Sequence, residues 1–116
     1  MTRYHLLALT NCVPGQESEF ERWYDEQHLS DALNVPGVIS AQRFRTVDGL
    51  QAPLSWRFLT LYELETSDPA ALLQELGQRI GTPLMPLTDA MDVSNAGAAV
   101  LESAGRLFHR ADSAGT

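Results

Sequence analysis

Residues 55–65, SWRFLTLYELE, alternate with a period of two, and both faces of the alternation carry apolar side chains. Trp56, Phe58, Thr60, Tyr62 and Leu64 share one face; Arg57, Leu59, Leu61 and Glu63 share the other. Successive side chains of a strand point to opposite sides of its sheet, so a strand of this kind needs a cover on both sides. The rest of the chain must supply one cover and find the other, which leaves few folds open to it.

The flanking segments complete the pattern. YHLLALT (4–10) reads as a buried strand closed by the turn-forming NCVPG. Residues 17–33 read as a helix. Glu17, Glu19 and Glu21 suit the positive end of its dipole, and Phe20, Trp23, Tyr24 and then His28 recur at helical spacing. NVPG ends it, because Pro36 disfavours helical geometry at Val35 and Gly37 permits a turn. VISAQRFRT (38–46) reads as a second strand, with a loop through VDGLQAP before the strand of 55–65. Residues 66–81 form a second helix, capped by Ser67 or Asp68, with Pro69 at its first position and Leu72, Leu73, Leu76 and Ile80 as its apolar stripe. Residues 82–96, with two prolines, read as irregular chain, and 96–103 as a last strand.

The order β-α-β-β-α-β predicts an α+β, ferredoxin-like domain over residues 1–103: a four-stranded antiparallel sheet with both helices on one face. A flexible C-terminal tail is expected over 104–116. One chain cannot cover the other sheet face, and a second copy is the simplest cover, so a homodimer packed sheet to sheet is expected.

Charge narrows the partners. The formal charge is −7 and all eight basic residues are Arg. That balance argues against nucleic acid and against an anionic membrane, since both need a basic face. The longest apolar run near the N-terminus is too short for a signal-peptide core or a membrane span, and Cys12, the single cysteine, allows no internal disulfide. A cytoplasmic protein is expected.

VPGQESEFERWYDEQHLSDALNVPGVISAQRFR, followed by WRFLTLYELE and MPLTDAMD, resembles the EthD-like branch of the dimeric α/β-barrel superfamily over about residues 6–102. The Trp-Tyr-x-x-x-His run before a Val-Pro-Gly turn is its most specific part. The resemblance implies a barrel formed by two sheets and a small-molecule cleft between the sheet and helices of each chain. Superfamily relatives include polyketide cyclases, muconolactone-type isomerases, quinol-type monooxygenases, haem-degrading oxygenases and haem-dependent aldoxime dehydratases. A shared fold does not determine chemistry, so the site has to be argued from its residues.

His28 is the first candidate. It borders the apolar stripe of the first helix, near the helix end, where the dipole raises an imidazole pKa and burial lowers it. The expectation is titration near neutral pH, suited to general acid or base work. Tyr24, four residues earlier, would share the proton or orient a carbonyl. Asp25 and Asp31 flank His28 at three residues' distance, and either would hold its tautomer. Phe20 and Trp23 are expected as cleft wall, and Arg43 either at a dimer rim or on a substrate carboxylate or enolate. No metal site is expected. The resemblance also brings Asn11 and Trp56 into view, because haem-degrading relatives use an Asn, a Trp and a His around the porphyrin; their His lies on the second helix, and the second helix here has none.

These readings favour an enzyme without cofactor, using His28 on a small aromatic or polyketide-like carbonyl compound as a cyclase, isomerase, dehydratase or lyase. The alternatives are a haem-dependent or oxygen-using enzyme in the same cleft, and a non-catalytic dimeric module that binds a small hydrophobic molecule.

Overall fold

A computed structural model describes residues 1–110 of the chain. The apolar run at the N-terminus forms β1 (Thr2–Thr10), and the chain continues through α1 (Glu17–Trp23), a π-helical turn (Tyr24–His28), α2 (Leu29–Leu33), β2 (Val38–Arg45), β3 (Phe58–Thr66), α3 (Pro69–Arg79) and β4 (Gly97–Leu101). The sheet order is β2-β3-β1-β4 and every neighbouring pair is antiparallel. This is the expected ferredoxin-like arrangement. The two inner strands, β1 and β3, pair along their whole lengths, with Leu6 opposite Tyr62 and Thr10 opposite Phe58.

Local chemistry explains the element ends. Asp68 caps α3 by accepting the Ala71 backbone N–H at 3.1 Å, and Pro69 follows it. Just before β2, Gly37 has φ +97°, and a Cβ there would lie 2.6 Å from Leu72 Cδ1. Glycine is needed both for the dihedral and for the close approach of α3. Its carbonyl accepts the Glu65 N–H at 2.8 Å, and a bulge between Val38 and Ser40 resets the register against β3.

The helices cover the even-numbered side of β1 and β3. Two apolar clusters fill the space beneath them. One gathers Leu6, Val35, Val38, Leu64, Leu72 and Met85; the other gathers Phe20, Trp23, Tyr24, Phe58 and Ala90. Residues 82–96 are irregular, as the prolines predicted, yet they close the core: Met85 and Ala90 are buried. The opposite sheet face bears Leu7, Leu9, Leu59 and Leu61, half-buried, with Phe44 exposed beside them and Arg3 paired to Glu63 (3.2 Å) and Glu65 (3.1 Å) at one end.

Two sequence boundaries change. The strand expected over 55–65 begins at Phe58, so Trp56 belongs to the loop before β3. The single helix expected over 17–33 is broken by the π turn, where the Leu29 N–H reaches the Tyr24 carbonyl five residues back. Residues 102–110 are exposed, and the rest of the tail expected over 104–116 lies outside the described residues. Among the described residues no helix is long and apolar enough to cross a membrane.

Candidate active site

The π turn sets the position of His28. Residues five apart on an α-helix point well away from each other. The π turn inserts one residue, and His28 comes to lie flat against Trp23, with ring centroids 4.4 Å apart and planes 23° from parallel. Tyr24 meets His28 edge-on at 5.1 Å. Trp23 is itself fixed: its indole N–H donates to the Pro86 carbonyl at 3.0 Å, tying the helix to the irregular segment. π turns of this kind frequently mark functional sites.

His28 stands between two adjoining cavities of about 240 and 160 Å³. The larger lies under α3, against Leu73, Leu76, Gly77, Ile80 and Met85. The smaller lies beside Thr10, Trp23, Tyr24, Leu87 and Met91. Ala8, His28, Tyr62 and Ile80 line both, so the two are lobes of one chamber between helices and sheet. Among the described residues no charged side chain lines either lobe. Two polar atoms in its wall, His28 Nδ1 and Thr10 Oγ1, are buried without a hydrogen-bond partner. The Tyr62 hydroxyl is bonded to the Thr60 side chain, and burial raises its pKa above the ordinary phenol value.

Burial lowers the His28 pKa to about 4, and the charge of Asp31 offsets only part of that. This corrects the expectation of titration near neutral pH. The helix-dipole contribution expected at a helix end is absent in that form, because α2 continues the helix for five residues beyond His28. At pH 7 the imidazole is neutral, a ready donor of a nitrogen lone pair and a weak base.

The other candidates divide. Phe20, Trp23 and Tyr24 form one aromatic cluster with Phe58, but only Trp23 and Tyr24 reach the chamber; Phe20 is wholly buried behind them. Asp25 turns away from His28, which corrects its reading as the group that holds the tautomer. Its carboxylate takes Arg43 Nε at 2.8 Å, and Arg43 also reaches Glu21 at 3.4 Å and lies over the Tyr24 ring. Arg43 is thus a strut between β2 and the first helix on the helix side, and it does not line the chamber, where a substrate carboxylate or enolate was expected to meet it. Asp31 accepts from Gln27 at 2.7 Å. Asn11 bonds the Ser55 carbonyl and the Arg57 N–H, both at 2.8 Å, closing the start of β3 away from the chamber. Trp56 stands close to Gly97 beside Leu9, on the side away from the helices. Asn11, Trp56 and His28 therefore do not surround one cavity, because strand alternation and the loop before β3 send them apart.

Thr10, Tyr62, Ile80, Leu87 and Met91 were not singled out from the sequence as site residues. Thr10 and Tyr62 had a usable signal, since they share a strand face with Leu6 and Ala8 or with Phe58 and Thr60. Ile80 had one too, as the end of the second helix's apolar stripe with Leu73 and Leu76; nothing local pointed to Leu87 or Met91. Among the described residues no group of three or more His, Cys, Asp or Glu is placed to hold a metal ion.

No family model matches the sequence, and no curated protein does. Solved structures do. A candidate monooxygenase from Shewanella loihica PV-4 is 16% identical, with TM-score 0.55 over 93% of this chain and 96% of that one. MhuD, as an arginine-to-serine variant with two manganese protoporphyrin IX bound per active site, is 16% identical, with TM-score 0.60 over 91% of this chain and 99% of its own. An ethyl tert-butyl ether D (EthD) family protein from Bacillus halodurans C-125 is 13% identical, with TM-score 0.54 over 88% and 99%. The fold shared with these proteins is ferredoxin-like, as the resemblance implied. The MhuD complex overturns the expectation of no cofactor: a protein of this fold holds porphyrins in its active site, so the fold gives no ground for a cofactor-free chamber.

Proposed function

We propose that this chain is a small-molecule enzyme of the haem-dependent or oxygen-using kind, acting in the chamber at His28. The observation that carries the reading is a neutral imidazole, without a hydrogen-bond partner on Nδ1, in the wall of an apolar chamber. The likeness in fold to a porphyrin-binding protein and to a candidate monooxygenase supports it. A neutral imidazole is a common axial ligand and apolar side chains suit the faces of the ring; with no charged side chain at either lobe among the described residues, the haem carboxylates would have to stay outside the lobes. A bound haem would supply the centre at which oxygen is activated. His28 would hold the iron, Trp23 would keep the imidazole plane from turning, and Leu73, Leu76 and Met85 would give that side of the chamber its apolar wall.

Adding haem to the purified protein tests this. A Soret band that shifts and saturates on binding is expected, with affinity reduced roughly tenfold or more in His28→Ala, since loss of a ligand or its support changes affinity on that scale. A spectrum equal to that of free haem, or one unchanged by His28→Ala, would remove the haem assignment.

Proton transfer at His28 on an aromatic or polyketide-like carbonyl substrate is a second reading. It is favoured by the Thr10 hydroxyl in the same lobe, which offers a second polar contact to a bound oxygen atom. The two differ in their pH dependence. Base work at His28 gives a rate with an acid limb near pH 4, the value burial imposes.

The working form is a homodimer in which a second copy covers Leu7, Leu9, Leu59, Leu61 and Phe44. An exposed apolar face of this kind marks an interaction surface, and symmetric pairing lets one patch cover itself. Light scattering at micromolar concentration should give twice the chain mass; Leu61→Arg, by burying an unpaired charge, should give one chain mass. A wild-type monomer refutes the pairing.

A further inference from the structure

We propose that Thr10 is the polar anchor of a two-lobed pocket for an uncharged, two-ring aromatic molecule carrying one hydroxyl or carbonyl oxygen. The proposal rests on the chamber at His28 being a small-molecule site and adds what class of molecule it takes.

The size comes from the lobes. A dry apolar cavity of roughly 150 Å³ accepts one benzene ring. The smaller lobe, about 160 Å³, matches one ring, and the larger, about 240 Å³, leaves room for a second with substituents. The lobes share walls at Ala8 and Ile80, and Ala96, Ala98 and Gly77 leave space where larger side chains would fill it. Aromatic character follows from Trp23, Tyr24 and Tyr62, whose rings take offset or edge contacts with another ring, and from Met85 and Met91, whose sulfurs favour aromatic neighbours.

Charge is excluded by what is missing from the wall. With no acidic or basic side chain at either lobe among the described residues, a bound ion would lose its water without gaining a partner. The chain's charge of −7 disfavours anions further.

The polar requirement comes from Thr10. It is 6% exposed, on an inner strand, and its Oγ1 has no partner. Valine would fill the same volume without an unsatisfied hydroxyl, so the fold alone gains nothing from Thr10. A ligand oxygen in the smaller lobe would satisfy it. A hydroxyl both donates and accepts, so phenol and carbonyl oxygens both fit.

Equilibrium dialysis of the protein, without added haem, against 2-naphthol, naphthalene and 2-naphthoate tests the assignment. The expected order is 2-naphthol tighter than naphthalene by roughly five- to tenfold, the effect of one hydrogen bond, and 2-naphthoate weakest. Thr10→Val should abolish the naphthol preference, leave naphthalene binding unchanged and be at least as stable as wild type in urea. Thr10→Ser, which keeps the hydroxyl, should keep the preference. A preference that survives Thr10→Val, naphthoate binding as tight as naphthol, no binding of any probe, or a Thr10→Val protein less stable than wild type would each overturn the proposal. A failed haem titration would not: it removes the haem assignment and leaves the naphthol preference standing.

Discussion

Trp23→Ala should destabilise the protein by about 3–5 kcal/mol, the range for removing a large buried aromatic side chain, and should raise the pKa of His28 from about 4 toward its ordinary value. Trp23 is almost fully buried and touches Phe20 and Tyr24 as well as His28. Its removal opens a cavity in the second core cluster and frees the Pro86 carbonyl of its donor. It also uncovers one face of the imidazole, and water admitted there weakens the desolvation that now holds His28 neutral. Urea unfolding measures the first effect and NMR titration of the His28 ring the second. A variant that is destabilised but leaves the His28 pKa near 4 would show that the sheet and α3, rather than Trp23, keep the imidazole dry. The loss is a large part of the roughly 5–15 kcal/mol by which domains of this size are stable, so titration at low temperature is the practical form of the experiment.

Acid should destabilise the wild-type protein through His28. The folded pKa is about 4 and the unfolded value is 6.5. Between these values the unfolded chain binds a proton that the folded chain refuses, so stability rises with pH across this window. The contribution is present in full above pH 6.5 and is lost as the pH falls toward 4. Moving from pH 7 to pH 5 should remove about 2 kcal/mol by this route alone, which lowers Tm by roughly 8 °C for a chain of this length. His28→Phe keeps a flat ring against Trp23 and binds no proton, so its Tm should fall much less over the same range. Parallel acid limbs for the two proteins would mean that His28 is not the buried titrating group.

Both experiments turn on a segment whose ingredients were visible in the sequence and whose geometry was not. The aromatic stripe of Phe20, Trp23 and Tyr24, with His28 at its edge, follows from helical spacing. Regular spacing, however, set His28 beside Tyr24 and gave it Asp25 and Asp31 as neighbours. The π turn shifts the register by one residue, so that His28 stacks on Trp23 and both acids find other partners. No periodicity argument reports such an insertion, because a regular spacing assumes one residue count per turn throughout the helix. The case of Arg43 is similar. Its place on a strand face was legible; that Glu21 and Asp25 of the helix would meet it was not, since that depends on how α1 lies across the sheet.

The balance of two pKa contributions was also beyond the sequence. A helix dipole and burial act on a histidine with opposite sign, and their relative sizes depend on where the helix ends and how much water reaches the ring. Leu29–Leu33 moves the helix end away, and the chamber wall removes the water. Burial prevails, and the group expected to titrate near neutral pH is neutral there.

The sequence by itself determined the order of elements, the antiparallel sheet and that both helices lie on one face of it. Those follow from the period of apolar residues and from Pro and Gly at the element ends, which act over a few residues of chain. Only the tertiary structure decided which polar atoms share the chamber. Thr10 and His28 lie on different elements, and Ile80, Leu87 and Met91 come from the end of α3 and beyond; packing brings them together and strips the water from Thr10 Oγ1 and His28 Nδ1, and burial of that kind is a property of the whole fold rather than of any stretch of chain.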